Sequence, residues 1–347
     1  MHIIKEIIKK NRIFSALTGI NLLLLLFNIK DLFKSSDHLI SYILFLVISV
    51  GIFLSFYKTV KEQRLNSEKY RKRKLFIGKI KKNKNSVLGF FIIIFMVYMA
   101  ILAPFLINHD PIAIDWGAML QNPSSNYLFG TDEFGRDTFS RIIYGSRVAL
   151  GIGVIAVFIN SLIGTILGLI SGYFGGKIDN LIMRVVEIWS SIPFILLAII
   201  MVSTWGSSIL NLIVIVSITN VMGFVRIIRS NAMTIKNLDY IHAAKVMAIP
   251  DWYIIIKHIL PNSVGSIIVL STLRIGDTIL TIAGLSFLGM GVKAPTPSWG
   301  AMLSAGQTYL STNLYLSIVP GIFILLTVFG FNLLGDGLRD AFDSKLK

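Results

Sequence analysis

Apolar residues fall in eight long runs separated by polar stretches: approximately Ile13–Ile29, Leu39–Tyr57, Val87–Ile107, Val148–Ile170, Leu181–Val202, Ile209–Phe224, Ser263–Leu288 and Leu314–Leu334. Each is near the roughly 20 residues a helix needs to cross hydrocarbon. The pattern therefore predicts an all-α polytopic membrane protein. The first run is short enough that an interfacial helix is the alternative. Two runs precede a basic segment and six come after it. That divides the chain into an N-terminal extension with two hydrophobic helices at 1–57, a basic linker at 58–84 and a six-helix transmembrane domain at 85–347.

Orientation follows from where Lys and Arg fall between the runs. Lys5, Lys9, Lys10 and Arg12 precede the first run, and nearly half the residues of RLNSEKYRKRKLFIGKIKKNK are basic. Basic loops stay on the cytoplasmic side. Counting from there, 108–145, with Asp110, Asp115, Asp132, Glu133 and Asp137 against Arg136 and Arg141, falls outside. Lys177, Arg184, Arg226, Arg229, Lys236, Lys245, Lys257 and Arg339 fall inside, and 292–313 lies outside with Lys293 its only basic residue. One topology with both termini cytoplasmic fits every loop. The N-terminus has the basic-then-apolar order of a signal peptide without a convincing small-x-small cleavage site, so it reads as a retained anchor helix.

Composition agrees with lipid as the solvent. The 347 residues are 54% hydrophobic and 15% charged, with mean hydropathy +0.74; soluble domains run at roughly 45–50% apolar. The net charge of +15 is spread over short inter-helix segments, which topology and attraction to anionic lipid explain better than a nucleic-acid surface. With no cysteine, a disulfide scaffold, a thiolate metal site and a Cys nucleophile are excluded. The five histidines show no paired ligand spacing, so no metal site is expected.

The stretch 226–262, RIIRSNAMTIKNLDYIHAAKVMAIPDWYIIIKHILPN, is too long for an inter-helix turn. Pro250 disfavours helix in Ile249 and suits the first turn of a new helix, which predicts two short helices meeting there. Ile241, Ala244 and Ala248 recur with helical spacing, a small apolar face that another protein's backbone could approach closely. The segment resembles the coupling loop of ABC-importer permeases: Glu-Ala-Ala, Gly after three further residues, then Leu-Pro about a dozen on. Ala243, Ala244, Leu260 and Pro261 match. His242 stands where Glu is usual and Ala248 where Gly is usual. KHILPN narrows the likeness to the peptide and nickel branch. His242 has three readings: a neutral polar substitute for Glu, a pH-sensitive contact, or an exposed helix residue.

Three more stretches resemble that branch: 126–153 (NYLFGTDEFGRDTFSRIIYGSRVALGIG), 283–303 (AGLSFLGMGVKAPTPSWGAML) and 320–347. The likeness covers about Lys84 to Lys347. In 126–153, Gly130 permits a tight turn, and Asp132, Arg136 and Asp137 can build a hydrogen-bonded network. By resemblance they face a substrate-binding protein or gate; the alternative is that they only seal the end of the bundle. Arg274 and Asp277 stand three apart in an apolar run, a spacing that allows an ion pair. They either line a path or tie helices together. Gly284, Gly289 and Gly291, with Ser286, predict close helix packing. GLSFLG lacks the G-x-S-x-G spacing, which argues against a serine hydrolase.

The resemblance implies a six-helix permease core with two extra helices. It also implies alternating access for dipeptides, oligopeptides or nickel complexes, and location in a bacterial cell membrane. Its partners would be a homologous permease subunit, two ATPase subunits and an extracellular substrate-binding lipoprotein. No G-x-x-x-x-G-K-[ST] occurs, so ATP and Mg would be used by the partner ATPases and no cofactor is expected on this chain. The rivals are a gradient-driven secondary transporter, for which inverted repeats are not detectable, and an intramembrane enzyme, for which no nucleophile/base constellation is present.

Overall fold

The computed structural model describes residues 68–343. The two runs expected at Ile13–Ile29 and Leu39–Tyr57, both chain termini and the first part of the basic linker lie outside the described residues. Phe76–Ala100 and the described residues from Ile107 onward form one compact unit. Residues 68–75 and Ile101–Leu106 belong to a separate unit.

The helices are α1 (Glu68–Lys82), α2 (Lys84–Ile101), α3 (Ala103–Leu106), α4 (Thr138–Phe174), α5 (Gly176–Ser190), α6 (Phe194–Trp205), α7 (Ile209–Lys236), α8 (Asp239–Val246), α9 (Asp251–Ile254), α10 (Leu260–Phe287), α11 (Trp299–Gly306) and α12 (Tyr315–Phe342). Among the described residues there is no strand, only an isolated bridge between Thr131 and Asp137. Among the described residues five helices are long and apolar enough to cross a membrane: α2, α4, α7, α12 and α10 continued back to Asp251. These fall on five of the six runs expected after the basic linker.

The sixth differs. The run at Leu181–Val202 is not one straight helix; α5 and α6 meet at 82°. Pro193 stands at the break and leaves Ile192 unable to stay comfortably helical, and the polar Ser190 and Ser191 make the interruption tolerable. Asp179, Arg184 and Glu187 then sit on α5, and FILLAIIMVSTW, apolar except for Ser203 and Thr204, forms α6.

α4 organises the unit. Its 37 residues reach about 55 Å, well beyond the roughly 30 Å of hydrocarbon. Asp137 starts it, its carboxylate accepting from the Ser140 N–H at 2.9 Å, and Gly175, at φ +69°, ends it. Along α4, Gly164, Gly168 and Gly172 repeat every four residues and lie against α7. A Cβ at Gly164 would come 2.3 Å from the Phe224 Cβ, one at Gly168 2.9 Å from the Ile228 Cβ, and one at Gly172 2.5 Å from the Arg229 carbonyl. Residue numbers rise together on both sides, so the two helices run parallel with backbones nearly touching over three turns. In lipid, where apolar burial drives little, such close approach is what holds helices together.

The remaining long helices are laid antiparallel by similar contacts. α10 crosses α4 where a Cβ at Gly153 would meet Ile279, and α12 packs on α10 where one at Gly335 would come 2.5 Å from Leu273 Cδ2. α2 closes on α12 at Gly89 and Gly330. Asn83, just before α2, donates to Asp340 near the end of α12 at 3.1 Å.

Gly164→Ala is expected to destabilise the purified protein by about 1–3 kcal/mol through overpacking, read as a lower midpoint of thermal unfolding. Gly151→Ala on the same helix, where nothing lies within 4 Å of the added carbon, should leave the midpoint unchanged or raise it.

Candidate functional site

The 226–262 loop holds two short helices on either side of Pro250, as the sequence predicts. α7 runs down to Lys236, α8 begins after a two-residue turn, the chain reverses at 247–249, and α9 begins directly after Pro250. Beyond α9 the helix loosens into a five-residue π turn, Ile255–Ile259, before α10. Pro261 accounts for this. It has no N–H for the carbonyl one turn back, and its ring would clash there, so the preceding turn widens. Asn262 braces the junction, donating to the His258 carbonyl at 2.6 Å and the Tyr240 hydroxyl at 3.2 Å.

Ala248 sits at the reversal with φ +55°. Left-handed geometry costs a non-glycine residue about 1–2 kcal/mol. The usual Gly at this position of the pattern therefore has a backbone reason, and Ala accepts the same turn under strain.

One expectation about this loop is reversed. Ile241 and Ala244 do not offer their face to another protein: both are buried in the chain's own core with Leu169, Tyr173, Ile228, Ala232, Ile254 and Ile259. The small face is needed for α8 to lie close under α4 and α7. What points outward is the other side, His242, Ala243 and Lys245, then Val246 at 88% exposure, Met247 at 67% and, across the reversal, Trp252 at 62%. Ala248 is exposed as well, and Leu260 and Pro261 lie at the junction with α10.

Two polar clusters fix this end and were not anticipated from the sequence. At the foot of α4, the Tyr173 hydroxyl donates to Asp251 Oδ1 on α9. Lys245 Nζ lies 4.9 Å and Lys236 Nζ 5.8 Å from the centre of the Tyr173 ring, within cation–π range. One side chain thus touches α7, α8 and α9. Beside it, Arg229 of α7 grips Asp179 of α5 with Nε and Nη2 each donating at 2.5 Å, a bidentate arrangement. Ser171 of α4 donates to the same carboxylate. Tyr173 and Asp251 are 78 residues apart and Asp179 and Arg229 are 50 apart, so no local spacing announces either pair.

At the opposite end, Gly130, Asp132, Arg136 and Asp137 are brought together, but inward. Asp132 accepts from the N–H groups of Phe134 (2.9 Å) and Arg136 (3.0 Å) and from Arg136 Nε at 2.7 Å. Arg141 Nε lies 3.4 Å from the same carboxylate, while its Nη1 donates to the Pro111 carbonyl at 2.9 Å. Gly130, at φ +69°, leaves room for the Tyr315 ring. All four residues are buried: Asp132 and Arg136 neutralise each other, Asp137 caps α4 through Ser140, and together they brace this end from inside. Its exposed surface includes Trp116, Leu128 and Phe134. Trp299 on α11 locks on from the side, its indole N–H donating to the Ile142 carbonyl at 2.9 Å above Gly145. Of the small residues expected to pack here, Gly291 lies against Ser286, whereas Gly284 faces open space.

Arg274 and Asp277 do pair, at 3.3 Å and on one helix. Arg274 Nη2 also lies 3.2 Å from where a Cβ of Gly223 on α7 would stand. Among the described residues no group of three or more His, Asp or Glu is arranged to hold a metal ion.

Comparison with known proteins gives two matches to family models. Residues 164–347 match the binding-protein-dependent transport system inner membrane component, and residues 73–123 match the N-terminal transmembrane domain of oligopeptide transport permease C. Among curated relatives, a dipeptide transport system permease protein of Alkalihalophilus pseudofirmus is 44% identical over 77% of this chain and 88% of its own length. A glutathione transport system permease protein of Pectobacterium atrosepticum is 43% identical over 75% and 86%. A probable D,D-dipeptide transport system permease protein of Escherichia coli is 39% identical over 82% and 94%.

Tyr173→Phe removes a hydrogen bond to a charged group, worth about 1.5–3 kcal/mol, and is expected to speed amide hydrogen exchange in 250–259 while leaving the middle of α4 protected. Ala248→Gly relieves the reversal and is expected to slow exchange in the same segment by relieving about 1 kcal/mol of strain.

Proposed function

The chain belongs to the family of binding-protein-dependent transport system inner membrane components and is a permease subunit of an ATP-driven importer; from that premise we propose that its cargo is a short peptide and that the 226–262 loop is the surface on which a separate ATPase acts. The three relatives are named for dipeptides, glutathione and D,D-dipeptides, all short peptides, which favours peptide over nickel complexes. Membership of this family sets aside the gradient-driven alternative.

The observation that carries the docking assignment is the division of the loop into two faces. Ile241 and Ala244 are packed inward, so the loop has a fixed shape, and Val246, Met247 and Trp252 form an apolar ridge on its outside. A ridge of that kind on a firm base suits insertion into a cleft, since aromatic and Met anchors dominate the centres of protein interfaces. His242 stands exposed beside it, at the place where the family pattern has an acid.

In the proposed cycle, ATP-driven closure of a pair of ATPase subunits displaces α8 and α9. Tyr173 and the Asp179–Arg229 clamp pass that displacement to α4, α5 and α7, and the core rocks between inward-open and outward-open states. ATP binding shifts this equilibrium by favouring one of the two. ATP and Mg belong to the partner subunits. A second, homologous permease completes the path, and a binding lipoprotein meets the end that carries Trp116, Leu128 and Phe134. The subunit lies in the bacterial cell membrane with the 226–262 loop and both termini in the cytoplasm, as the basic residues favour.

The double variant Val246→Asp, Met247→Asp alters only the outward ridge. It is expected to reduce ATP-dependent peptide uptake at least tenfold, about 1.4 kcal/mol of lost contact, and to abolish co-purification with the ATPase at an unchanged level in the membrane. Normal uptake by this variant would contradict the docking assignment.

A further inference from the structure

Arg274 and Asp277 are the 15th and 18th of α10's 28 residues, about 20 Å and about 15 Å from its C-terminal end, well inside an apolar run where an unneutralised charge is expensive in a bilayer. Yet neither is covered by the rest of the chain: the side chains are 38% and 58% exposed. A pair at that depth and exposure does not face hydrocarbon at equilibrium; its surface faces water or polar groups. Nor is it held as a structural tie is held. The partners are three residues apart on one helix, so the bond joins nothing to α10. The Arg274 Nη1 to Asp277 Oδ2 distance is 3.3 Å, long beside the 2.7–2.9 Å of firm charge-assisted bonds and beside the 2.5 Å contacts of Arg229 with Asp179. Gly223 on α7 clears space for the guanidinium, which would otherwise meet a side-chain carbon at 3.2 Å.

We propose that Arg274 and Asp277 form a transit site for the two charged ends of a zwitterionic peptide, the carboxylate terminus exchanging onto Arg274 and the ammonium terminus onto Asp277. The proposal rests on the peptide reading and adds a site to it. An ion pair suits this task better than a single charge. A passing peptide finds an opposite charge for each terminus partway across the bilayer, and when it leaves the pair closes again, so neither side chain is left without a counter-charge in either state. The loose geometry matters for the same reason, because a transport site has to release what it binds.

The test uses the assembled transporter in proteoliposomes with its binding protein, dialanine as the probe, and peptide taken up per ATP hydrolysed as the readout. Three variants are compared at equal assembled levels: Arg274→Gln, Asp277→Asn and the two combined. A merely structural pair is harmed by losing one partner and recovers when both are neutral; a transit site does not recover. All three variants are therefore expected to lower peptide per ATP at least tenfold, the double variant included. A double variant that transports like the wild type overturns the transit site while leaving the peptide reading intact, as does a parallel fall in uptake and hydrolysis that keeps their ratio. A wild-type transporter that takes up no peptide with ATP overturns the peptide reading and the transit site with it.

Discussion

The contact between α4 and α7 constrains most of what this subunit does. Three glycines one turn apart bring two backbones so close that a single added carbon would stand 2.3–2.9 Å from its neighbour. Packing of that kind has two consequences. It supplies association energy where the hydrophobic effect does not operate between helices. It also leaves no soft layer of side chains in which one helix could slide past the other, since close-packed contacts transmit displacement instead of absorbing it. The parallel pair behaves as one stiff beam whose lower end carries Ser171, Tyr173 and Arg229, the residues that hold α5, α8 and α9.

That arrangement explains the loop. α8 and α9 are too short to be stable alone; they owe their shape to Ile241, Ala244, Ile254 and Ile259 packing under the beam and to the Tyr173–Asp251 bond. A push on the exposed ridge meets a rigid support within a few residues. At the other end, Asp132, Arg136 and Arg141 close the bundle as an internal charge cluster, and Trp299 pins α11 to the top of α4. Between the two ends lies the Arg274–Asp277 pair, midway along α10, on a surface the chain leaves open.

Much of this was legible in the sequence because lipid imposes a simple rule. Five of the six runs after the basic linker became single helices, since a helix in hydrocarbon satisfies its backbone only internally. Pro250 marked the division of the loop, and the 274/277 spacing marked an ion pair. The bend at Pro193 was missed because the run from Leu181 is apolar enough to read as continuous. The orientation of α8 was misread for a related reason: a small apolar face fits a foreign backbone or the chain's own, and periodicity alone does not say which. The repeat Gly164, Gly168, Gly172 was readable as a small-xxx-small stripe, though its partner helix was not. Tyr173, Asp179, Arg229 and Asp251 carried no local signal, because their partners lie 50 to 78 residues away. The φ of +55° at Ala248 gives the Gly of the family pattern a conformational reason that the sequence alone does not show.

The central claim is that loop and beam move together. Spin labels at Phe174, at the foot of α4, and at Val246, on the loop, allow the distance between them to be measured by pulsed electron resonance in the assembled transporter, without nucleotide and with ATP trapped. The account predicts one distance distribution, unchanged between the two states. A distribution that shifts or splits when ATP binds would show the loop moving independently of α4 and would contradict it.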